Sequence, residues 1–336
     1  MDSFEENSKA LNRSRNYYLT SLFEDEFYFE IIRSAAFQRL KNISFLGAID
    51  YTGELWSTDE TIKFERSRYS HSLGVASLAL FVSKKRNYSK ELEQHIVSAA
   101  LLHDVGHAPL SHSLEAKFLD VFNIGHHQQG RSLVLGETSK GKELNRVLKR
   151  KIDPNVTSRL IEGDDALEGS DLFSSPINID TIDGILRAST YLAEHEFLCP
   201  LKIAEASFLI SSEKRFSYLD SFWQQKGLIY KNFIQSSIGL VADKISQAYF
   251  EENKKLFDYD DFLGDEISFR NKHSALFGRL EKVGINLENK FLPNEVDVVE
   301  REYEIDNSSN NYSRFICKKK LKTKNLVSEI CNLKCA

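Results

Sequence analysis

The stretch AALLHDVGHAPLSH at residues 99–112 decides the fold of this chain. An apolar helical run reaches His103 and Asp104, and Gly106 and Pro109 then end the helix. Adjacent helical residues point about 100° apart, so one cation at the helix end could contact both side chains. Imidazole and carboxylate together bind divalent metals beside water. The stretch therefore predicts a metal-binding helix end in a helical protein.

Two further residues extend this predicted metal site. His71 opens one helical segment and Asp180 opens another. With His103 and Asp104 they would form a site of two imidazoles and two carboxylates, which leaves coordination positions for water and substrate. That layout is typical of a catalytic metal, and Asp183 is a candidate acceptor for the second nitrogen of a ligating histidine. The ligand set does not choose among Mn, Fe, Zn, Mg and Co.

A second group of candidates follows the metal-binding stretch. His112 and Glu115 are three residues apart, so they share one face of a helix that begins near residue 111. A carboxylate beside His112 would fix its tautomer and suit it to protonate a leaving oxygen. Arg68 could clamp a phosphate through two nitrogens. His126 and His127 are added as candidate donors to a phosphate or leaving group.

Composition excludes several classes of protein. The 336 residues are 41% hydrophobic and 28% charged with a net charge of −5, so no overall basic field would recruit nucleic acid. No apolar run approaches the ~20 residues that cross a bilayer. The N-terminus is polar and acidic, and no Cys-x-x-Cys pair occurs. We expect a cytoplasmic protein with no membrane partner and free thiols, with a terminal zinc site at Cys331 and Cys335 as a weaker alternative.

Periodicity predicts a mainly α-helical fold with a small C-terminal α+β extension. Helical spacing is expected at 27–41, 70–85, 90–104, 111–122, 126–151 with a break near 136–141, 178–193 and 225–255. Ser89 is expected to cap the start of the helix at 90–104. A β-hairpin is expected around residues 307–311. The predicted organisation is an N-terminal extension at 1–25, a helical domain at 26–255, and a C-terminal extension at 256–336. A lysine run follows the hairpin and suggests single-stranded nucleic acid as a candidate partner: Lys318, Lys319, Lys320, Lys322 and Lys324.

Several ordered motifs carry a family resemblance. They are FQRL at 37–40, RYSHSLGV at 68–75, ALLHDVGHAPLSH at 100–112, HQQG at 127–130 and SPINIDTID at 175–183. Together they resemble the HD-domain phosphohydrolases over about residues 30–250. The resemblance is closer to the branch that hydrolyses deoxynucleoside triphosphates, which includes the animal SAM-and-HD-domain enzyme.

This resemblance implies a helical HD core and a nucleotide substrate. It implies metal ligation by His71, His103, Asp104 and Asp180. The usual family reaction is attack of water on the α-phosphate of a dNTP, which releases the deoxynucleoside and triphosphate. Family members commonly form homo-oligomers. Catalytic or phosphate-contacting roles are implied for Arg68, His107, His112, Glu115 and His127.

Departures from the family pattern keep other functions open. Phe45 stands where the family usually has a glutamine that contacts the sugar, and Gln128 stands where it usually has glutamate. Residues 181–184 lack the basic and aromatic residues that commonly follow the last metal ligand. One alternative is an HD phosphodiesterase or nuclease acting on single-stranded or cyclic oligonucleotides. Another is a non-catalytic nucleotide-sensing subunit of an assembly.

Overall fold

The chain is mainly α-helical and carries one antiparallel β-hairpin among its described residues, which confirms the predicted fold class. The structure is a computed structural model that describes residues 17–53, 55–192, 198–285, 294–326 and 328. Cys331 and Cys335, with their predicted zinc site, lie outside the described residues, as does most of the predicted N-terminal extension. The predicted boundaries at residues 25 and 255 stay a proposal.

α-Helices and two strands make up most of the described part of the chain. In order they are α1 Glu26–Arg33, α2 Ala35–Gln38, α3 Glu60–Glu65, α4 Arg68–Lys85, α5 Lys90–Leu102, α6 His112–Phe122, α7 His126–Leu135, α8 Gly141–Leu148, α9 Pro154–Ile161, α10 Asp171–Ser174, α11 Ile179–Ser189, α12 Pro200–Phe208, α13 Arg215–Ile229, α14 Ser237–Glu252, α15 Tyr259–Leu263, α16 Glu266–Lys272, α17 Ser274–Leu280, β1 Glu295–Ile305 and β2 Phe315–Asn325. A short π-helix at Tyr230–Ile234 follows α13, and 3₁₀ turns occupy Arg39–Asn42, Gly47–Tyr51, Lys254–Leu256 and Tyr312–Arg314.

One compact unit contains the described residues of Met1–Arg39, Tyr69–Gly106 and His127–Phe222. Within it α5 packs against α9, and α1 packs against α8. Helix α5 begins where the Ser89 side chain accepts a hydrogen bond from the Leu92 amide, as the sequence predicts. Its last turns are wholly buried through Leu101 and Leu102. This burial fixes the helix end that carries His103 and Asp104.

A second compact unit contains the described residues of Leu40–Arg68, His107–His126 and Trp223–Ala336. Within it α14 packs against α6, α17 and the 3₁₀ turn at Gly47–Tyr51. Phe118 of α6 lies edge-on to Phe250 and Phe262, with ring centroids 5.8 and 5.2 Å apart. Such edge-to-face pairs add stability beyond their buried area. They anchor the helix whose first residue is His112.

Two predicted helices are divided in the structure. The segment 27–41 breaks at Ser34, whose backbone is extended and whose side chain accepts a hydrogen bond from the Phe37 amide. Serine favours such local bonds over a helix interior, so it ends α1 and begins α2. The segment 225–255 breaks at the π-helix and Ser236, so the single helix predicted there was wrong. The break predicted near residues 136–141 is confirmed by the gap between α7 and α8.

The C-terminal hairpin places the lysine run against glutamates. Strands β1 and β2 pair along their whole length, from Glu295 opposite Asn325 to Ile305 opposite Phe315. The resulting ion pairs are Lys318–Glu304 at 2.5 Å, Lys320–Glu302 at 2.6 Å, Lys322–Glu300 at 2.5 Å and Lys324–Glu300 at 3.0 Å. Four of the five predicted nucleic-acid contacts therefore face carboxylates that neutralise their charge. Nucleic-acid binding by this run stays a prediction that loses its main electrostatic argument.

Among the described helices, none combines the length and the apolar character needed to cross a membrane.

Gly74 allows α4 to lie against a buried carboxylate. A Cβ atom added at Gly74 would lie 2.1 Å from Oδ1 of Asp183. Asp183 is 2% exposed and accepts a hydrogen bond from Nε of Arg187 at 2.9 Å. A change of its rotamer to make room for a methyl group would break that buried hydrogen bond. Only glycine therefore fits at position 74 in this arrangement.

We expect Gly74→Ala to lower the free energy of unfolding by about 1–3 kcal/mol, the usual cost of overpacking a buried site. Urea denaturation measures this change. Gly130→Ala is the matched control, because a Cβ there would meet its nearest atom at an ordinary 3.6 Å within helix α7. The control should keep or slightly raise the stability, since alanine favours helix over glycine. Equal losses in both variants would contradict the role given to Gly74.

Candidate active site

The first unit brings the four predicted metal ligands together. His71 lies in the first turn of α4, His103 caps the end of α5 with Asp104 beside it, and Asp180 lies in the first turn of α11. Nε2 of His71 lies 3.3 Å from Nε2 of His103, 3.0 Å from Oδ1 of Asp180 and 3.7 Å from Oδ2 of Asp104. Nε2 of His103 lies 3.5 Å from Oδ1 of Asp104 and 3.8 Å from Oδ1 of Asp180. Residues separated by 109 positions thus converge on one point.

These spacings fit a single divalent ion. Ligand atoms about 2.0–2.2 Å from one ion lie roughly 3.0–3.4 Å from each other, so small side-chain rotations suffice to bind it. The two imidazole Nε2 atoms, 3.3 Å apart, point at the same space as the two carboxylates. His71, His103 and Asp104 lie close enough together to hold one ion, and Oδ1 of Asp180 lies beside them, 3.0 Å from Nε2 of His71.

The other nitrogen of each imidazole is already engaged. Nδ1 of His71 lies 2.8 Å from Oδ2 of Asp183, and Nδ1 of His103 lies 2.8 Å from the carbonyl oxygen of Ala100. Each acceptor favours a proton on Nδ1 and leaves the Nε2 lone pair for a metal. Arg187 then holds Asp183 and also donates to the hydroxyl and the carbonyl oxygen of Ser70, at 3.1 and 3.0 Å. The rings are therefore oriented before any ligand binds.

Three carboxylates surround His71 and favour a positive charge at this position. Its side chain is 1% exposed, and Asp104, Asp180 and Asp183 all lie near it. Burial alone lowers the pKa of His71, but the hydrogen bonds with Asp180 and Asp183 outweigh that and raise its pKa to about 9. Clustered carboxylates of this kind attract either a proton or a metal cation. The Asp180 side chain is 55% exposed, so the centre is open to solvent on that side.

The second unit holds a separate cluster of histidines around Glu115. One carboxylate oxygen of Glu115 lies 3.0 Å from Nδ1 of His112, and the other is hydrogen-bonded to Nδ1 of His126. The His107 ring stacks on His126 with centroids 4.1 Å apart and planes 11° apart. The nitrogens of His107, His112 and His126 lie close enough to bind a metal. However, parallel stacking does not aim two rings at one point, so the geometry fits proton transfer better.

Glu115 is charged in this setting. Burial raises its pKa, but the hydrogen bonds from His112 and His126 outweigh burial and hold the pKa of Glu115 well below its usual range. The pair predicted from sequence, His112 with Glu115, is therefore present at hydrogen-bonding distance, and its catalytic role stays a prediction.

His126 lies in the cluster around Glu115, although the predicted catalytic set did not include it. The predicted set included His127, which belongs to the first unit, whereas His126 joins Glu115. The signal that could have identified His126 is its place as the first residue of α7, where its backbone amide also donates to Glu115. The role of His127 stays a prediction.

Arg68 has structural partners within the second unit. Its side chain is 4% exposed, its Nε donates to Oγ of Ser111 at 2.7 Å, and its Nη2 donates to the carbonyl oxygen of Phe45 at 3.1 Å. Phe45 is itself buried, with its ring 5.8 Å from the guanidinium carbon. These bonds fix the chain just before His112. The predicted phosphate clamp by Arg68 stays a prediction.

The turn before His112 has an unfavourable backbone conformation. Leu110 has φ 58° and Ser111 has φ 46° with ψ −122°, although neither is glycine. Such conformations cost of order 1–3 kcal/mol each and persist only where the surroundings enforce them. They also occur often at functional sites.

The sequence was compared with protein-family models and with known proteins. Residues 68–164 match the family model described as HD domain. An uncharacterized protein of Bacillus subtilis, YwfO, is 33% identical over 176 residues, which cover 50% of this chain and 37% of that protein. Uncharacterized proteins of Mycoplasma pneumoniae (30% identical over 183 residues) and Methanocaldococcus jannaschii (33% over 172 residues) match 50% of this chain each, and 40% and 31% of their own lengths.

The matched part of this chain thus spans well under half the length of those three relatives. Their names give no activity. The domain match is the informative finding, because it covers His71, His103 and Asp104. It shows that residues 68–164 are similar to an HD domain, and HD domains in general belong to metal-dependent hydrolases.

Proposed function

We propose that this protein hydrolyses deoxynucleoside triphosphates to deoxynucleosides and triphosphate, with a divalent metal as cofactor. The observation that carries the hydrolase part is the convergence of His71, His103, Asp104 and Asp180, with neighbouring ligand atoms 3.0–3.8 Å apart. Support for the dNTP substrate comes from the motifs at 68–75, 100–112 and 175–183. We further propose a homo-oligomer, as the same resemblance implies, and a cytoplasmic location, as the composition indicates.

The first unit prepares the site for its metal and its substrate. When bound, a divalent ion supplies positive charge at the phosphate and makes water a better nucleophile near neutral pH. Asp183 and the Ala100 carbonyl hold the two imidazoles in the tautomer that binds metal. The half-exposed side of Asp180 is where a phosphate would enter. Binding and orientation are therefore built into the chain before the reaction begins.

The resemblance implies that the histidine cluster donates a proton to the leaving oxygen. Glu115 accepts a hydrogen bond from Nδ1 of His112, which leaves Nε2 as the nitrogen that would donate. A departing 5′-alkoxide of deoxyribose is a poor leaving group, so its protonation lowers the barrier. His126, bonded to the same carboxylate, can return a proton to the cluster after turnover. The two histidines with Glu115 form one proton-holding group.

The nuclease alternative keeps part of its support. It was motivated by Phe45 at the sugar-contacting position and by the lysines at 318–324, and four of these lysines lie within 3.0 Å of glutamate oxygens. The sensing alternative has no observation of its own and is separated from hydrolysis by the experiment below.

Product analysis tests the proposed reaction. We expect the protein, supplied with Mn, Fe, Mg, Zn or Co, to release deoxynucleoside and intact triphosphate from dNTPs. Asp104→Asn should reduce this to background, because it removes a charged ligand. Asp171→Asn is the matched control, since Asp171 pairs with Arg86 at 2.6 Å on another helix of the same unit and should keep activity. Chromatography of the products gives the measurement.

Two outcomes would reject the proposal. Mononucleotides or inorganic phosphate as the products would mean that a different ester is cleaved. Metal and nucleotide binding without turnover in any metal would favour the sensing role.

Asp183 should control metal affinity without contacting the metal. We expect Asp183→Asn to weaken metal binding about 10–100-fold, because the acceptor that orients His71 is lost. Isothermal titration with Mn or Zn measures the affinity, and circular dichroism verifies the fold. Asp171→Asn again serves as control. Wild-type affinity in a folded Asp183→Asn protein would show that this hydrogen bond does not prepare the site.

A further inference from the structure

The turn before His112 is held by a residue far along the chain. We propose that Glu266 is a positioning residue that sets the geometry of His112 through the turn at Leu110 and Ser111. This inference rests on the proposed function for the role of His112 in proton transfer. Glu266 lies 156 residues after Leu110 and outside the segment that matches the HD domain.

Glu266 joins three segments of the second unit. Its Oε1 accepts hydrogen bonds from the Leu110 amide at 2.8 Å and from Oγ of Ser44 at 2.7 Å. Its other carboxylate oxygen accepts from the hydroxyl of Tyr51. The amide it holds belongs to the first of the two residues with left-handed φ. The carboxylate therefore acts directly on the turn that leads into α6.

Further contacts hold the turn at Leu110 and Ser111 in its conformation. Oγ of Ser111 accepts from Arg68 at 2.7 Å and donates to the carbonyl oxygen of Ser44 at 2.9 Å. Gly47 lies against the same turn, since a Cβ there would be 2.3 Å from the Leu110 carbonyl oxygen. Ser44 thus contacts both Glu266 and Ser111. The network fixes the two unfavourable backbone conformations and, with them, the direction in which His112 leaves the turn.

A carboxyl is an unusual choice for a purely structural contact here. Glu266 is 4% exposed, and its hydrogen-bond partners are all neutral donors. Burial raises the pKa of Glu266, although the bonds from Tyr51, Ser44 and Leu110 partly oppose the shift. Burying such a group without a cationic partner is costly. The carboxylate supplies two acceptor oxygens, and the three donors of this network use both of them.

The first test is spectroscopic and needs no activity. Hydrogen exchange should show a protected Leu110 amide in the wild-type protein and faster exchange in Glu266→Ala. Histidine-labelled NMR spectra should show shifted His112 ring signals in Glu266→Ala, with unchanged signals for His95 in the first unit. Glu266→Gln should restore both, because its amide oxygen still accepts from Leu110.

The second test separates positioning of a proton donor from general damage. We expect Glu266→Ala to lower kcat on dNTPs roughly 10–100-fold, part of what a general acid contributes, with little change in KM. A p-nitrophenyl phosphodiester needs no protonation of its leaving group, so its hydrolysis should change little. Glu266→Gln should regain most of the dNTP rate. Asp265→Ala is the matched control, because it removes the cap of the same helix, a bond to the Ser268 amide, without touching the turn.

The outcomes distinguish this inference from the proposed function. Equal losses on both substrates, or the same loss in Asp265→Ala, would make Glu266 merely structural and overturn the inference. A wild-type protein without hydrolase activity would reject the proposed function, while the NMR and exchange data would still decide the positioning. Unmoved His112 signals in a folded Glu266→Ala protein would overturn the inference whatever the activity.

Discussion

The hydrogen bond between Asp183 and His71 is the constraint on which the first unit depends. It is 2.8 Å long, fully buried, and joins α4 to α11 across 112 residues of sequence. Arg187 holds the carboxylate from one side, and Gly74 gives it room. Because Nδ1 is engaged, Nε2 faces His103, Asp104 and Asp180. A single pair thus links helix packing to the preparation of a metal site.

In the second unit, carboxylates of Glu115 and Glu266 orient a pair of histidines and the turn that precedes one of them. Glu115 aligns two histidines, and the turn before His112 is held in an unfavourable conformation by Glu266, Arg68 and Ser44. Carboxylates are used in both units as acceptors that orient imidazoles or backbone. In neither unit does the orienting group need to react. Precise placement of reactive groups therefore depends on buried acceptors that are distant in sequence.

The sequence predicted what depends on local pattern. Helical periodicity, the Ser89 cap and the hairpin turn are set by neighbouring residues, and the structure confirms them. The convergence of His71, His103, Asp104 and Asp180 was foreseen because each stands at a helix end, although their ligation of a metal stays a prediction. Glu266 was not foreseen, because nothing near residue 266 signals a contact with Leu110. The glutamates opposite the lysine run were not foreseen for the same reason, because only the register of β1 and β2 shows them.

X-ray absorption at the edge of the bound metal is the most direct test of whether His71, His103, Asp104 and Asp180 bind one divalent ion. We expect one ion per chain, with two imidazole nitrogens and carboxylate oxygens about 2.0–2.2 Å from it. His103→Ala should remove one imidazole from that signal or abolish binding. If the metal spectrum is unchanged in His103→Ala, or if the protein binds no divalent ion, these four residues do not form the metal site.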